Sequence, residues 1–420
     1  MEILINILGI VILLAGLYLF SSNRKNVNKI MIAKALVLQL IIAFLLVKFP
    51  LGKAALSSVS DFVTNVLSYG SKGIEFLFGS LANSSAPTGS IFAIQVLGNI
   101  IFISALVAGL YYLGVIGAVV KFIGGIVGKV LGTSKVESFV AVANMFLGQT
   151  ESPILVSKYL HEMTESEIML VLVSWMGSMS ATVLLGYAGM GIPMEYLLIG
   201  GALVPLGSII VSKLILPENN IDRSKALDEA ATSEEDEVII GNKGQTEVSI
   251  DNKGDNANLI AAISQGASDG LNMVLGIGAS LLAIISLVAL VNGALSIIGL
   301  SLEQILSYIF APIGFLMGLP KKDILVASQL LGTKLVLNEF VAFGQLGEII
   351  NTLGYRSGLM MAISLTGFAN ISSMGICIAG ISVFCPEKRN QLAKLAFRGM
   401  LGGFFVSVLS SLIVGLMIAI

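Results

Sequence analysis

Eight apolar stretches, near residues 3–20, 32–49, 91–115, 167–189, 193–216, 271–299, 357–384 and 396–419, are each long enough to cross a bilayer as a helix, which takes about 20 residues. That repeated length leaves little choice of fold. In lipid every backbone polar group must be satisfied within the chain, so spans are helices or closed barrels, and these segments have helical length. Only 12% of the residues are charged and 55% are hydrophobic, whereas soluble domains carry roughly 25% charge. The expected fold is an all-α integral membrane protein with eight transmembrane helices. The first 20 residues lack a basic leading region and a small-residue cleavage site, so they are expected to stay as the first span.

Four segments are apolar yet do not cross. Residues 116–134 space Lys121 and Lys129 on an apolar background, as an interfacial helix does, and 301–318 reads as a matching helix on the opposite side. Residues 137–160 and 323–350 each consist of two short arms meeting at a polar centre marked by Gly or Pro. Neither arm spans, so each segment is predicted to be a re-entrant hairpin, entering and leaving on one side. The order interfacial helix, hairpin with Glu, span broken by polar residues then occurs twice. Three crossings separate the copies, so the hairpins enter from opposite faces and the repeats are inverted. Inverted repeats with discontinuous helices around a midplane site are a pattern of secondary transporters.

The resulting division is spans 1–3 at 1–115, a first repeat at 116–216, a polar loop at 217–258, a sixth span at 259–300 and a second repeat at 301–420. Within 217–258, eleven acidic face four basic side chains, a net −7 in a chain of net −2. This segment reads as a long loop. The basic stretches 21–29 and 386–394 are expected on the cytoplasmic side. Both termini and the second hairpin then face outward, and the acidic loop and first hairpin lie on the cytoplasmic side.

Chemistry by a metal or a catalytic triad is not expected. The single histidine, His161, lies in a polar run and reads as a solvated residue. Cys377 and Cys385 read as packing residues in an apolar segment. Residues 128–135, "GKVLGTSK", lack the spacing of a phosphate-binding loop. A channel ringed by glutamates fits two non-identical hairpins less well than a binding site does. No cofactor and no nucleic-acid partner are expected.

The stretches "NMFLGQTESP" (144–153), "GYAGMG" (186–191), "LNEFVAF" (337–343) and "GFANISS" (367–373) resemble, in this order, the signatures of the concentrative nucleoside transporter family. The likeness covers nearly all of the membrane part. It implies a homotrimer in the bacterial cytoplasmic (inner) membrane that couples nucleoside uptake to a Na⁺ or H⁺ gradient. It also implies base contacts from Gln149, Thr150 and Glu151, ribose contacts from Glu339, Asn370 and Ser373, and packing from Val183 and Phe368. A sodium ion would take the Asn144 side chain, the Leu147 carbonyl, the Ser178 hydroxyl and the Met179 carbonyl.

The residue chemistry is compatible with that assignment. A nucleoside is uncharged and offers amide-like base edges and vicinal hydroxyls. Gln149 has donors and an acceptor, Thr150 a hydroxyl, and an ionised Glu151 only acceptors. A carboxylate at 339 can take ribose hydroxyls in short charge-assisted bonds. Plainer roles compete: Ser372 and Ser373 as interhelical glue, Asn338 as a helix cap, and Phe368 as a core aromatic. Proton coupling through Glu151, or transport of another small organic solute, remains the alternative.

Overall fold

A computed structural model describes residues 2–83, 91–146, 160–161, 163–219, 240–241, 245–246, 256–383 and 385–420. Helices α1 (Glu2–Leu19), α2 (Lys29–Val47) and α3 (Pro50–Phe78) lead into α4 (Phe92–Gln95), α5 (Leu97–Tyr112) and α6 (Val115–Leu131). Next come α7 (Lys135–Ala143), α8 (Glu165–Gly177), α9 (Ala181–Gly189) and α10 (Met194–Ile215). After the polar loop follow α11 (Leu259–Leu295), α12 (Leu302–Ile309), α13 (Ala311–Leu316) and α14 (Lys321–Val336). The chain ends with α15 (Glu339–Ile349), α16 (Tyr355–Leu365), α17 (Ile371–Ser382) and α18 (Arg389–Ala419). Within the loop a two-residue antiparallel ladder pairs Ile240 with Thr246 and Gly241 with Gln245. Among the described residues, seven helical stretches are long and apolar enough to cross a bilayer. The eighth crossing is the interrupted pair α16–α17, whose halves are separately too short.

Short polar side chains set the helix starts. Ser134 and Thr164 each accept from the backbone N–H three residues on, and Glu137 and Glu167 reach back to the capping residue. These reciprocal boxes satisfy donors that a helix N-terminus otherwise leaves open. Asn338 and Asn370 cap α15 and α17 in the same sense, accepting from Val341 and Ser373 at 2.9 Å. Both caps follow a break, which is where a new helix inside a membrane most needs one.

Two spans are broken near their middles. One interruption is Ser178–Ser180, between α8 and α9, and the other runs from Thr366 to Asn370, between α16 and α17. The breaks touch: the Phe368 N–H donates to the Ser178 carbonyl at 3.2 Å. Gly367 has φ +92°, and a Cβ there would stand 2.5 Å from the Gly177 carbonyl oxygen. Glycine is required on both counts.

The innermost helix is α18, packed against α1, α8, α10 and α16, with nearly every side chain from Gly402 to Met417 buried. By contrast, α11 buries only Ala262, Gly266 and Gly270. It pairs with α5, and at Gly266 and Gly270 a Cβ would come within 2.5 Å of Ala108 and 2.8 Å of Ser104. Such small-residue spacing lets membrane helices approach closely. Leu275, Leu282 and Leu290 face outward from it.

The apolar stretch near 271–299 is the later part of a longer helix that starts at Leu259, where the sixth-span segment was set to begin. Two sequence expectations need correction. The segment 301–318 is two helices, not one. The helix α3 was not anticipated, because Lys53, Asp61, Lys72 and Glu75 interrupt its apolar pattern. It is amphipathic, starts at Pro50, packs on α2, α5 and α10, and leaves Phe62, Phe76 and Leu77 exposed. A helix of that pattern suits the membrane interface.

Candidate functional site

Hairpin 2 is formed by α14 and α15. Its turn is Leu337–Asn338, so Glu339 becomes the first residue of α15, only 3% exposed. One carboxylate oxygen accepts from the Tyr187 hydroxyl at 3.3 Å and the other from Asn370 Nδ2 at 3.0 Å. The carboxylate thus joins hairpin 2 to both broken spans, through α9 and the cap of α17. Asn370 is fixed in turn, because its Oδ1 accepts from the Ser373 N–H and from the Ser372 hydroxyl at 2.6 Å. Tyr187 is held by its ring, stacked on Phe343 at 4.2 Å between centroids and tilted against Phe340 at 4.9 Å.

A cavity of about 440 Å³ opens beside this carboxylate. The structure brings Val183, Glu339, Phe368, Asn370 and Ser373 together on its wall, five of the residues singled out from sequence. The opposite wall is α11, which contributes Asp269, Asn272 and Ser280. An ionised carboxylate has about four lone-pair positions. Glu339 takes two side-chain donors and its own backbone N–H, and among the described residues no cation lies at ion-pair distance from it. Remaining acceptor capacity beside apolar walls suits an uncharged ligand with hydroxyl donors.

The first repeat is described in part. Asn144 caps the C-terminus of α7, is fully buried, and donates to the Ser174 hydroxyl at 2.7 Å. The Ser178 hydroxyl donates to the Trp175 carbonyl at 3.2 Å, and Met179 is buried beside it in the break. The break is tied to the hairpin through the Ala181 N–H and the Phe146 carbonyl, 3.4 Å apart. None of Asn144, Ser178 and Met179 lines the large cavity. Leu147, Gln149, Thr150 and Glu151 lie outside the described residues.

Sequence reasoning passed over several participants. Tyr187 lies inside a quoted motif but reads as an apolar ring. Asp269 lies just outside the apolar stretch near 271–299. Lys334, fully buried, stands within hairpin 2, and a lysine at membrane depth raises the same question as a glutamate. Asn338, read from sequence as a helix cap, does cap α15, and its place on the cavity wall was not anticipated.

A second buried charge group lies at the entry of hairpin 1. Lys213 pairs with Glu137, donates to the Ser166 hydroxyl at 2.7 Å and reaches Glu218 at 3.3 Å. Ser134 donates to Glu167 at 3.1 Å, which interlocks the capping boxes of α7 and α8. This group ties α7, α8 and α10 together. His161 pairs at the surface with Glu387 at 2.6 Å, with both side chains more than half exposed, as a solvated residue does. Both cysteines are free and buried.

Three family descriptions match the chain: "Na+ dependent nucleoside transporter N-terminus" over residues 8–81, "Nucleoside recognition" over 93–194, and "Na+ dependent nucleoside transporter C-terminus" over 196–415. The nucleoside permease NupC of Helicobacter pylori is 35% identical, with 99% of this chain and 98% of that one covered. Sodium/nucleoside cotransporter 1 of Mus musculus is 31% identical over 99% of this chain and 64% of its own length. Among solved structures, CNTnw in an inward-facing substrate-bound state superposes with a TM-score of 0.89 at 32% identity, covering 100% of this chain and 98% of that one. With the helical breaks, the paired carboxylate and these matches along its whole length, the chain belongs to the Na⁺-dependent nucleoside transporter family and is a membrane transporter, not an enzyme.

Proposed function

We propose that the protein imports nucleosides by symport with Na⁺ across the bacterial cytoplasmic membrane, with both termini facing outward. The observation that carries the substrate side is the Glu339 carboxylate, anchored by two neutral side-chain donors and facing the cavity with acceptor capacity to spare. Vicinal ribose hydroxyls would complete it, with Asn370 and Ser373 beside them and Phe368 and Val183 packing on sugar and base. Gln149, Thr150 and Glu151 would read the base edge from hairpin 1. The Na⁺ dependence of the matching families and the name of the mouse sodium/nucleoside cotransporter support Na⁺ as the coupling ion.

The ion would bind between hairpin 1 and the first break, on Asn144, Ser178 and the carbonyls of Leu147 and Met179. Sodium is a hard cation, and carbonyls released where a helix unwinds are its natural ligands. Ion binding would then order the adjoining hairpin tip before nucleoside arrives. The gain is limited to the difference in ion affinity between the ordered and open states. The α5–α11 pair would act as a fixed scaffold, and the exposed leucines of α11 would meet neighbouring copies in a trimer.

Labelled-uridine uptake into proteoliposomes under an inward Na⁺ gradient, an inward H⁺ gradient or neither tests this. Na⁺-driven uptake, competed by other nucleosides but not by free bases, is expected. Uptake driven by H⁺ alone would void the sodium ligands, and absence of uptake would void the substrate.

A further inference from the structure

Lys334 stands in the last turn of α14, the incoming arm of hairpin 2, with no exposed surface. Its ammonium has three N–H donors, and each finds an oxygen. It donates to the carbonyl of Ser364 at 3.0 Å, to the carbonyl of Thr366 at 2.6 Å and to the Ser407 hydroxyl at 2.7 Å. Ser364 and Thr366 flank the end of α16, where the second broken span unwinds. A helix C-terminus leaves its last carbonyls without intrahelical partners and carries partial negative charge. Deep in a membrane that end needs a cation or donors. Phe404 closes the site, its ring centroid 5.6 Å from Nζ.

The first repeat has the same layout with a different occupant. There the incoming hairpin arm is α7, and its last turn holds no basic residue. The neutral side chain of Asn144 stands at its end, and the break that follows α8 carries Ser178 and Met179. In both repeats, then, the end of a hairpin arm meets the unwound end of a broken span. In one repeat this junction holds an ammonium covalently attached to the chain. In the other, the described residues at the junction, Asn144, Ser178 and Met179, are all neutral.

We propose that Lys334 is a tethered cation that fixes the second break permanently, the task an exchangeable Na⁺ performs at the first break in the symport reading on which this rests. Lys334 is then a positioning residue. It holds Ser364 and Thr366, the break they bound leads directly to Asn370, and Asn370 holds Glu339. Nucleoside affinity depends on it without contact. Because the second junction is filled from within, only the first is left to respond to the ion gradient, and one cation accompanies each nucleoside.

The test is nucleoside binding to purified Lys334→Met and Lys334→Ala proteins, alongside the unsubstituted protein, in NaCl and in choline chloride. Both variants are expected to lose about tenfold or more in affinity, the scale of one charged hydrogen-bonding group. In Lys334→Ala, propylammonium chloride is expected to restore binding while propanol, of similar size but uncharged, does not. A mere packing defect would answer equally to both. Native affinity in Lys334→Met, or equal rescue by propanol, would overturn the proposal. If neither variant assembles, the coupling ratio of the unsubstituted protein, from its reversal potential, decides: one cation per nucleoside supports the tethered cation and two overturn it. Loss of the Na⁺ effect in the unsubstituted protein would instead sink the symport reading, and the propylammonium comparison would still judge Lys334.

Discussion

Glu137 and Glu339 are both glutamates buried beside hairpin arms, and they are satisfied in opposite ways. Glu137 pairs with Lys213 through one oxygen and accepts from the Ser134 backbone N–H at 2.9 Å through the other. Glu339 takes its side-chain donors from Tyr187 and Asn370, both neutral, and borders the 440 Å³ cavity. The first has a counter-charge and a cap, which is how a buried carboxylate serves structure. The second has no ion-pair partner at contact distance among the described residues and faces the cavity. Burial alone does not separate a binding carboxylate from a structural one; the inventory of its partners does.

The strongest way to break this contrast is Glu339→Gln. Charge-assisted hydroxyl contacts are lost, so nucleoside affinity is expected to fall by more than about 100-fold with thermal stability retained. Equilibrium binding with a melting curve checks it, and unaltered affinity would remove Glu339 from the site. Glu137→Gln should do the reverse. It leaves Lys213 with Glu218 as its remaining anionic partner and is expected to cost about 3 kcal/mol of stability, read by detergent-solubilised thermal unfolding, while affinity per folded molecule holds.

A third substitution sharpens the sodium side: Asn144→Ala with Ser178→Ala is expected to abolish the Na⁺ stimulation of uridine uptake. Stimulation that survives would move the ion elsewhere. Tyr187→Phe removes one of the two donors to Glu339 without disturbing the stacked ring, and a drop in affinity of about fivefold is expected, measured by the same binding assay. The smallest effect belongs to the acidic loop. Deleting 222–252 should change uptake by less than about twofold, and a larger loss with normal assembly would make that loop a working part.

Much of this was legible because polar residues in apolar segments carry information that polar residues in soluble proteins do not. Glu339, Asn370 and the breaks beside them announced themselves by their cost in lipid. Lys334 did not, because a lysine near the end of a short arm reads as one whose stem lets the charge reach water. The structure instead turns it inward onto carbonyls. Asp269 was easy to pass over because it lies just outside the apolar stretch near 271–299, whereas α11 runs from Leu259 and carries it, with Asn272, to the cavity. The helix α3 escaped since its four charges break the hydropathy signal without breaking the helix. Tyr187 could not be read at all, since only the fold brings its hydroxyl to a residue 152 positions away.

The contact between Gly367 and Gly177 has a mechanical meaning. With no room for even a methyl group, and with the Phe368 N–H bonded across to Ser178, the two interruptions act as a rivet rather than as a pair of hinges. Interrupted helices invite the thought that the chain flexes where it is unwound. Here the unwound points brace each other through backbone contact. In the proposed symport, the junction assigned to the ion and the Glu339 carboxylate would therefore travel as one load, a change at one half of the joint reaching the other with no intervening slack.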